Sequence, residues 1–168
     1  MKIKISNLGE GTHEFKLSEP VNSIGLESPF LGNVEVEIEI KKSHNQIILD
    51  SKIFVDAVFE CDRCTVEFRK KLCTHFEMVY LQGVEPVESK SDNISYISLE
   101  TDVIDISDDV RDFSILAVPM KKLCTEECKG LCYRCGTNLN EENCTCDQNY
   151  VDARWLPLKE LKNNFNTN

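Results

Sequence analysis

The sequence lacks the long apolar run that a signal peptide or a membrane-spanning helix requires, and it lacks a net positive charge. It has 19 Lys and Arg residues against 29 Asp and Glu, which gives a formal net charge of -10. This balance argues against a domain that binds nucleic acid mainly through bulk electrostatics, and it favours basic partners. We therefore expect a cytoplasmic protein that makes no contact with a membrane.

Signatures of catalysis are also missing. The sequence has no recognisable Ser-His-Asp set and no glycine loop that would hold a phosphate. Its three histidines, His13, His44 and His75, fall in or beside strand patterns and have no partners at metal-ligand spacing. We predict no enzymatic activity and no small-molecule substrate.

Alternation of apolar and polar residues dominates the first half of the chain. Residues 34–40 follow a strict period of two, residues 47–60 continue the pattern, and most even positions of 66–80 are apolar. Shorter strand candidates are residues 2–6 and 13–17. The pattern predicts a mainly β protein with some α structure, built as an antiparallel curled sheet or a small barrel-like body with one wet face.

Acidic residues and a helix pattern follow the strands. We expect a solvated acidic loop at about 86–93, a short strand at 94–97 and one helix at about 108–118. Ser107, Asp108 and Asp109 are its predicted N-cap residues, and Pro119 would end it. The predicted apolar stripe of the helix consists of Val110, Phe113, Leu116 and Ala117.

The last third of the chain has little apolar periodicity. We therefore divide the chain into a β body at 1–118 and a Cys-rich tail at 119–168 that docks on the body. A short C-terminal helix or turn is expected to start near Pro157, with Trp155, Leu158, Leu161 and Phe165 at helical spacing. The remainder of the tail cannot build a core and must be held together in another way.

The spacing of the cysteines indicates how the tail is held together. Six of the nine cysteines lie in the tail, and in a reducing compartment clustered cysteines bind metals or act as redox groups. Cys132 and Cys135, followed by Gly136, have the spacing of a zinc knuckle. Cys144 and Cys146 can complete a tetrahedral shell of four thiolates, which predicts a structural Zn²⁺ site.

A second pair, Cys61 and Cys64, falls between two long strand patterns, in the expected turn of a hairpin. This pair could be a redox dithiol, but no helix pattern follows that would lower a thiol pKa. Pairing it with Cys124 and Cys128 gives a second, less certain zinc site. Only Cys73 is then left over, either as a non-ligand thiol or as a substitute for one ligand. We expect one or two structural Zn²⁺ ions per chain.

The motifs of the tail closely resemble those of the YceD family of bacterial proteins. They are the segments at 118–124, 128–132, 135–140, 144–146 and 152–158, together with the cysteine pair at 61–64. Tyr133 and Ala153 stand where the family often has proline, and neither change removes a predicted ligand.

The resemblance implies a non-enzymatic role in ribosome biogenesis, in the accumulation of large-subunit (23S) ribosomal RNA. The partner is then either the rRNA precursor or a basic ribosomal protein. Candidate contacts for RNA are Lys121, Lys122, Lys129, Arg134 and Arg154. Candidate contacts for a protein are Asp102, Asp105, Asp108, Asp109 and Asp112. A thiol-based redox or metal-sensing protein and a processing nuclease are the alternatives.

Overall fold

The computed structural model describes residues 1–83, 93–146, 153–155 and 157–158. These residues form seven strands, one α-helix and two short 3₁₀ turns. In chain order they are β1 (Lys2–Lys4), β2 (Gly11–Pro20), a 3₁₀ turn (Val21–Ile24), β3 (Phe30–Ser43), β4 (Gln46–Glu60), β5 (Glu67–Gln82), β6 (Ile94–Ile97), β7 (Val103–Asp105), α1 (Ser107–Leu116) and a 3₁₀ turn (Ala153–Trp155).

Five of the strands form one open sheet in the order β2-β3-β4-β5-β6. The strands from β2 to β5 are consecutive antiparallel neighbours, as the alternating patterns predict. Strand β6 adds one parallel pairing, from Val79 opposite Ile94 to Gln82 opposite Ile97. The mainly β fold with one helix is confirmed, and its sheet does not close into a barrel.

One face of this sheet forms the core. On β4, Leu49 and Ile53 are fully buried and their polar neighbours Asp50 and Lys52 are exposed, so the predicted alternation is confirmed. Helix α1 covers part of this face, and Phe113 stacks on a ring of β5. The opposite face is wet and carries rows of charged side chains.

The start and the stripe of α1 differ from the sequence prediction. The residue before the helix is Ile106, which makes no side-chain cap, so the predicted cap at Ser107, Asp108 and Asp109 is wrong. Instead, Asp105 Oδ1 accepts hydrogen bonds from the Ser107 amide at 3.0 Å and from its hydroxyl at 2.6 Å. Asp108 and Asp109 lie in the first turn, where the helix dipole favours negative charge.

The predicted apolar stripe is correct for Val110, which is buried, and wrong for Leu116, which is 75% exposed. The buried place on the helix is taken by Ser114, whose hydroxyl donates to the Val110 carbonyl at 2.6 Å. This local bond satisfies the hydroxyl, so a small polar residue fits where spacing suggests a large apolar one.

Some predictions lie outside the described residues. They are the acidic loop at 86–92 and the part of the C-terminal helix that carries Leu161 and Phe165. Trp155 and Leu158 are described, and each is more than half exposed. The division at residue 118 stays a prediction. Among the described residues, no helix is both long and apolar enough to cross a membrane.

Candidate metal centres

Eight of the cysteines gather into two groups of four. In each group the four sulfur atoms lie within 4.8 Å of one another. We name the first the hairpin cluster; its members are Cys61, Cys64, Cys124 and Cys128. We name the second the knuckle cluster; its members are Cys132, Cys135, Cys144 and Cys146. These are the same two sets that the spacing of the sequence suggests.

Sulfur distances test whether a metal ion fits. A tetrahedral zinc with Zn–S bonds of about 2.3 Å separates its sulfurs by about 3.8 Å. In the hairpin cluster, the Sγ atoms of Cys61 and Cys128 are 3.8 Å apart and those of Cys64 and Cys124 are 3.6 Å apart. In the knuckle cluster, the Sγ atoms of Cys144 and Cys132 are 3.4 Å apart. The distances are far too long for disulfides and match a shell of four thiolates.

The two C-x-x-C turns have the same backbone geometry. In the hairpin turn, the Thr65 amide donates to the Cys61 carbonyl at 2.9 Å, and the Cys61 amide donates to the Val66 carbonyl at 3.0 Å. The knuckle turn has the same two bonds. The Gly136 amide donates to the Cys132 carbonyl at 2.9 Å, and the Cys132 amide donates to the Thr137 carbonyl at 2.8 Å. Each turn therefore aims two sulfurs at one point.

The hairpin cluster joins the tail to the sheet. Its first two cysteines lie between the end of β4 and the start of β5, and its other two come from the tail. Asp62 and Lys122 exchange two bonds: the Asp62 amide donates to the Lys122 carbonyl at 2.8 Å, and the Lys122 amide donates to Asp62 Oδ2 at 2.7 Å. Arg63 Nη1 donates to the Cys128 carbonyl at 2.6 Å.

Asn140 links the two clusters. Its side-chain amide donates to Cys128 Sγ at 3.3 Å, and its side-chain oxygen accepts from the Lys129 amide at 2.8 Å. The Leu131 amide donates to the Arg63 carbonyl at 3.0 Å, so the knuckle cluster rests directly on the hairpin turn. Gly130 fits there because an added Cβ would lie 3.0 Å from that same carbonyl oxygen.

Sequence reasoning missed Asp62, Arg63 and Asn140 as supporting residues. Their only signal is position, since each lies within the cysteine motifs that define the sites. Polar residues between ligands can orient a metal site, but spacing does not tell which of them turn inward.

Burial and hydrogen bonding shift the thiol pKa values of the hairpin cluster in opposite directions. Burial disfavours the thiolate of Cys61, but amide donors from Cys124 and Arg63 outweigh it and lower the pKa of this thiol to about 6. At Cys64, the Val66 amide favours the thiolate, but burial and the neighbouring sulfurs raise its pKa to about 12. Hydrogen bonds to the sulfur also lower the pKa of Cys128 despite its burial, so the surroundings favour the thiolate at Cys61 and Cys128.

The knuckle cluster repeats this pattern. Amides of Cys135 and Arg134 lower the pKa of the Cys132 thiol to about 6. Hydrogen bonding to the Cys135 sulfur, together with burial, raises the pKa of Cys146 to about 12. The same amide donors suit the negative sulfur of a metal-bound thiolate.

The clusters differ in exposure. Cys61, Cys64 and Cys128 are buried, and Cys124 is half-buried. In the knuckle cluster only Cys132 is buried, Cys144 and Cys146 are half-buried and Cys135 is exposed. The hairpin cluster, the less certain site by sequence, is therefore the better enclosed one.

The remaining cysteine and the histidines lie elsewhere. Cys73 is exposed on β5, opposite Phe54 of β4, and belongs to neither cluster. His13 contacts the Gly9 carbonyl at 3.0 Å, and His44 lies 3.6 Å from Glu10. Neither cluster includes a histidine among the described residues.

Comparison with known proteins shows that the part of the chain that carries both clusters matches a protein family. The model of the family described as "Large ribosomal RNA subunit accumulation protein YceD" matches residues 49–162, a range that contains all eight clustered cysteines. No solved structure matches the chain significantly.

Individual relatives are distant. A chloroplastic YceD homolog 1 of Arabidopsis thaliana, named as a large ribosomal RNA subunit accumulation protein, is 24% identical over 157 residues. That match covers 77% of this chain but only 48% of the relative, so the chain spans about half its length. An uncharacterised protein of Mycobacterium tuberculosis is 25% identical and covers 96% of this chain and 81% of its own. A homolog from Zea mays is 44% identical over 57 residues, or 33% of this chain and 19% of its own.

Proposed function

Because the chain belongs to the YceD family, we propose that it is a non-enzymatic ribosome biogenesis factor that promotes accumulation of large-subunit (23S) ribosomal RNA. The family name and the name of the Arabidopsis relative support this function. We place the protein in the cytoplasm, where reduced cysteines remain available as ligands.

We further propose that each cluster holds one structural Zn²⁺. The pairing of four sulfurs at tetrahedral distances is the observation that carries this proposal. Four thiolates fill the coordination shell of zinc and leave no open position for a substrate, which is typical of structural sites. The metal would cross-link the tail, which needs this because few buried apolar residues surround the cysteines.

A basic ribosomal protein is our proposed partner, and the rRNA precursor is the alternative. The net charge of -10 supports the protein. The aspartates of α1 are partly neutralised, since Arg111 lies 3.0 Å from both Asp108 and Asp112. For RNA, the candidate Lys122 is partly engaged, with its ammonium 5.8 Å from the centre of the Phe59 ring.

Genetic replacement tests the function and its dependence on the metal together. In cells that lack the native gene, we expect the unmodified chain and Cys73→Ser to restore the ratio of 23S to 16S rRNA. A Cys64→Ser chain should fail to restore it, because it loses the cluster that joins the tail to the sheet. A normal 23S level in cells without the chain would refute the rRNA function, and full rescue by Cys64→Ser would refute the need for the metal.

Crosslinking in living cells separates the two partners. We expect protein crosslinks to a basic ribosomal protein, weakened in a chain with Asp108→Asn and Asp112→Asn. Recovery of rRNA crosslinks alone, unchanged by these substitutions, would make the RNA the partner.

Exposure of Cys135 supports a second candidate function, a thiol-based redox or metal sensor. Oxidants reach exposed thiolates first. The test is zinc release under mild peroxide: reversible loss of one ion with a parallel change in activity would favour the sensor. Retention of both ions and unchanged activity would favour the structural function.

A further inference from the structure

Strand β2 forms an open edge of the large sheet. It runs for ten residues and pairs with β3 at every one of them, without a bulge. In the part of the chain that the structure describes, β3 is its only neighbour in the sheet. The amide and carbonyl groups that point away from β3 are therefore available to a further strand.

Charges along this edge form one acidic row, in which Lys41 Nζ contacts Glu39 Oε1 at 2.7 Å, and one row of mixed sign. Glu14 lies directly opposite Glu39, and the row continues through Asp50 and Glu77 on β4 and β5. Like charges placed opposite each other destabilise a sheet. Two residues along β2, Lys16 lies opposite Glu37 and its Nζ contacts Glu37 Oε1 at 2.7 Å.

The spacing of these two charges makes the edge self-complementary. We propose that β2 is a self-association edge, at which two copies of the chain pair antiparallel with Phe15 at the two-fold axis. In that register, Glu14 of each copy lies opposite Lys16 of the other, on the wet face. Each acidic row then meets a lysine of the other copy at its β2 end, where in the single chain it ends on Glu14.

The other residues of the strand also fit this register. Thr12 lies opposite Ser18 on the wet face, and such hydroxyl pairs are favourable across strands. On the core side, Phe15 meets Phe15, and Leu17 meets His13. Phe15 and Leu17 are only partly buried in the single chain, so pairing covers apolar surface that the monomer leaves open.

Neighbouring registers are excluded by charge. Moving the axis to Glu14 places the two copies of Glu14 opposite each other, and moving it to Lys16 does the same for the lysines. A single lysine on an edge strand usually prevents pairing with another strand. Here the lysine of each copy instead lies opposite a glutamate of the other copy, so the two charges attract. Charge complementarity therefore selects a second copy over an unrelated strand, and it fixes one register.

Sedimentation velocity and charge reversal test the proposal. One strand is a small interface, so we expect a dimer with a dissociation constant on the order of 10–100 µM. Glu14→Lys or Lys16→Glu alone should weaken the dimer by about tenfold or more, because each creates two like-charged contacts. Glu77→Lys is the matched control, with the same charge change on the same face three strands away, and it should leave the dimer intact.

Two rescues make the test specific. A chain that carries both Glu14→Lys and Lys16→Glu should dimerise like the unmodified chain. An equimolar mixture of the two single variants, distinguished by isotope mass, should form heterodimers in native mass spectrometry. Circular dichroism of each variant checks that it is folded. An unmodified chain that stays monomeric at about 300 µM, or that pairs only with an added lysine-rich peptide, would overturn the proposal, as would equal dimerisation of all variants.

Discussion

Thr65 and Gly136 occupy the same position in two turns of the same geometry. Both have a positive φ, 58° for Thr65 and 75° for Gly136, in the left-handed region that glycine adopts freely and a β-branched residue adopts only at an energetic cost. The hairpin turn therefore carries a strain that the knuckle turn avoids. Spacing of cysteines predicts the turn, but not that a threonine adopts this conformation.

Exchange of these residues is our first prediction. Thr65→Gly should stabilise the metal-loaded protein by about 1 kcal/mol, and Gly136→Thr should destabilise it by about 1–2 kcal/mol. No atom lies within 4 Å of a Cβ at Gly136, so the second effect comes from the backbone alone. Denaturant unfolding with zinc in excess measures both, and the same sign for both changes would contradict the strain argument.

Asn140 supports a residue-scale prediction about metal retention. Asn140→Ala removes the donor to Cys128 Sγ and the acceptor for the Lys129 amide, and such supporting bonds often contribute tenfold or more to metal affinity. We expect about tenfold faster transfer of zinc from the hairpin cluster to a chromogenic chelator. Asn22→Ala, at an exposed asparagine in the first 3₁₀ turn, is the control. Equal transfer rates in both variants would show that Asn140 does not support the cluster.

At the scale of elements, the two clusters differ in where their cysteines come from. The hairpin cluster takes two cysteines from the turn between β4 and β5, while all four of the knuckle cluster come from the tail. The cysteines of the hairpin cluster are the less exposed ones, because the turn that carries two of them lies at the end of the sheet. We therefore expect the clusters to lose metal separately and in a fixed order.

Metal counting tests that expectation. The purified chain and Cys73→Ser should each hold two zinc ions, and Cys132→Ser should hold one, since serine is a poor replacement for a thiolate ligand. A chelator should remove the knuckle ion first, as the faster of two phases. Elemental analysis with equal zinc in Cys132→Ser and Cys73→Ser would contradict the assignment, as would a single phase of release.

For the whole molecule, the main core and the clusters are separate groups of buried residues. The core cluster of the sheet, the first strand and α1 contains none of the eight clustered cysteines. The hairpin cluster has a small apolar surround that includes Leu123 and Phe68, and Phe68 also packs against the main core. Metal should therefore hold the tail without being required for the sheet.

Chelation combined with limited proteolysis examines this separation. After exhaustive metal removal under reducing conditions, we expect the strand signal in circular dichroism to persist, while protease cuts appear on the C-terminal side of about residue 119. The metal-loaded chain is the control and should resist cleavage at 120–146. Global unfolding on chelation would contradict the proposed division at residue 118.

The sequence by itself determined the long strands, and it predicted two groups of four cysteines that the folded chain also brings together. A period of two is a local property, because alternate side chains of any strand face opposite sides, so β3, β4 and β5 follow from pattern alone. The C-x-x-C spacing is equally local. Of the nine cysteines, two groups of four leave only Cys73 without a group. The resemblance to the YceD family rests on those same local motifs.

Only the tertiary structure decided how these pieces meet. The parallel pairing of β6 and the exposure of Leu116 depend on neighbours distant in the chain. So does the greater enclosure of the hairpin cluster, since its sulfurs come from segments about 60 residues apart. Local periodicity carries no information about such contacts, because they depend on which surfaces the folded chain brings together.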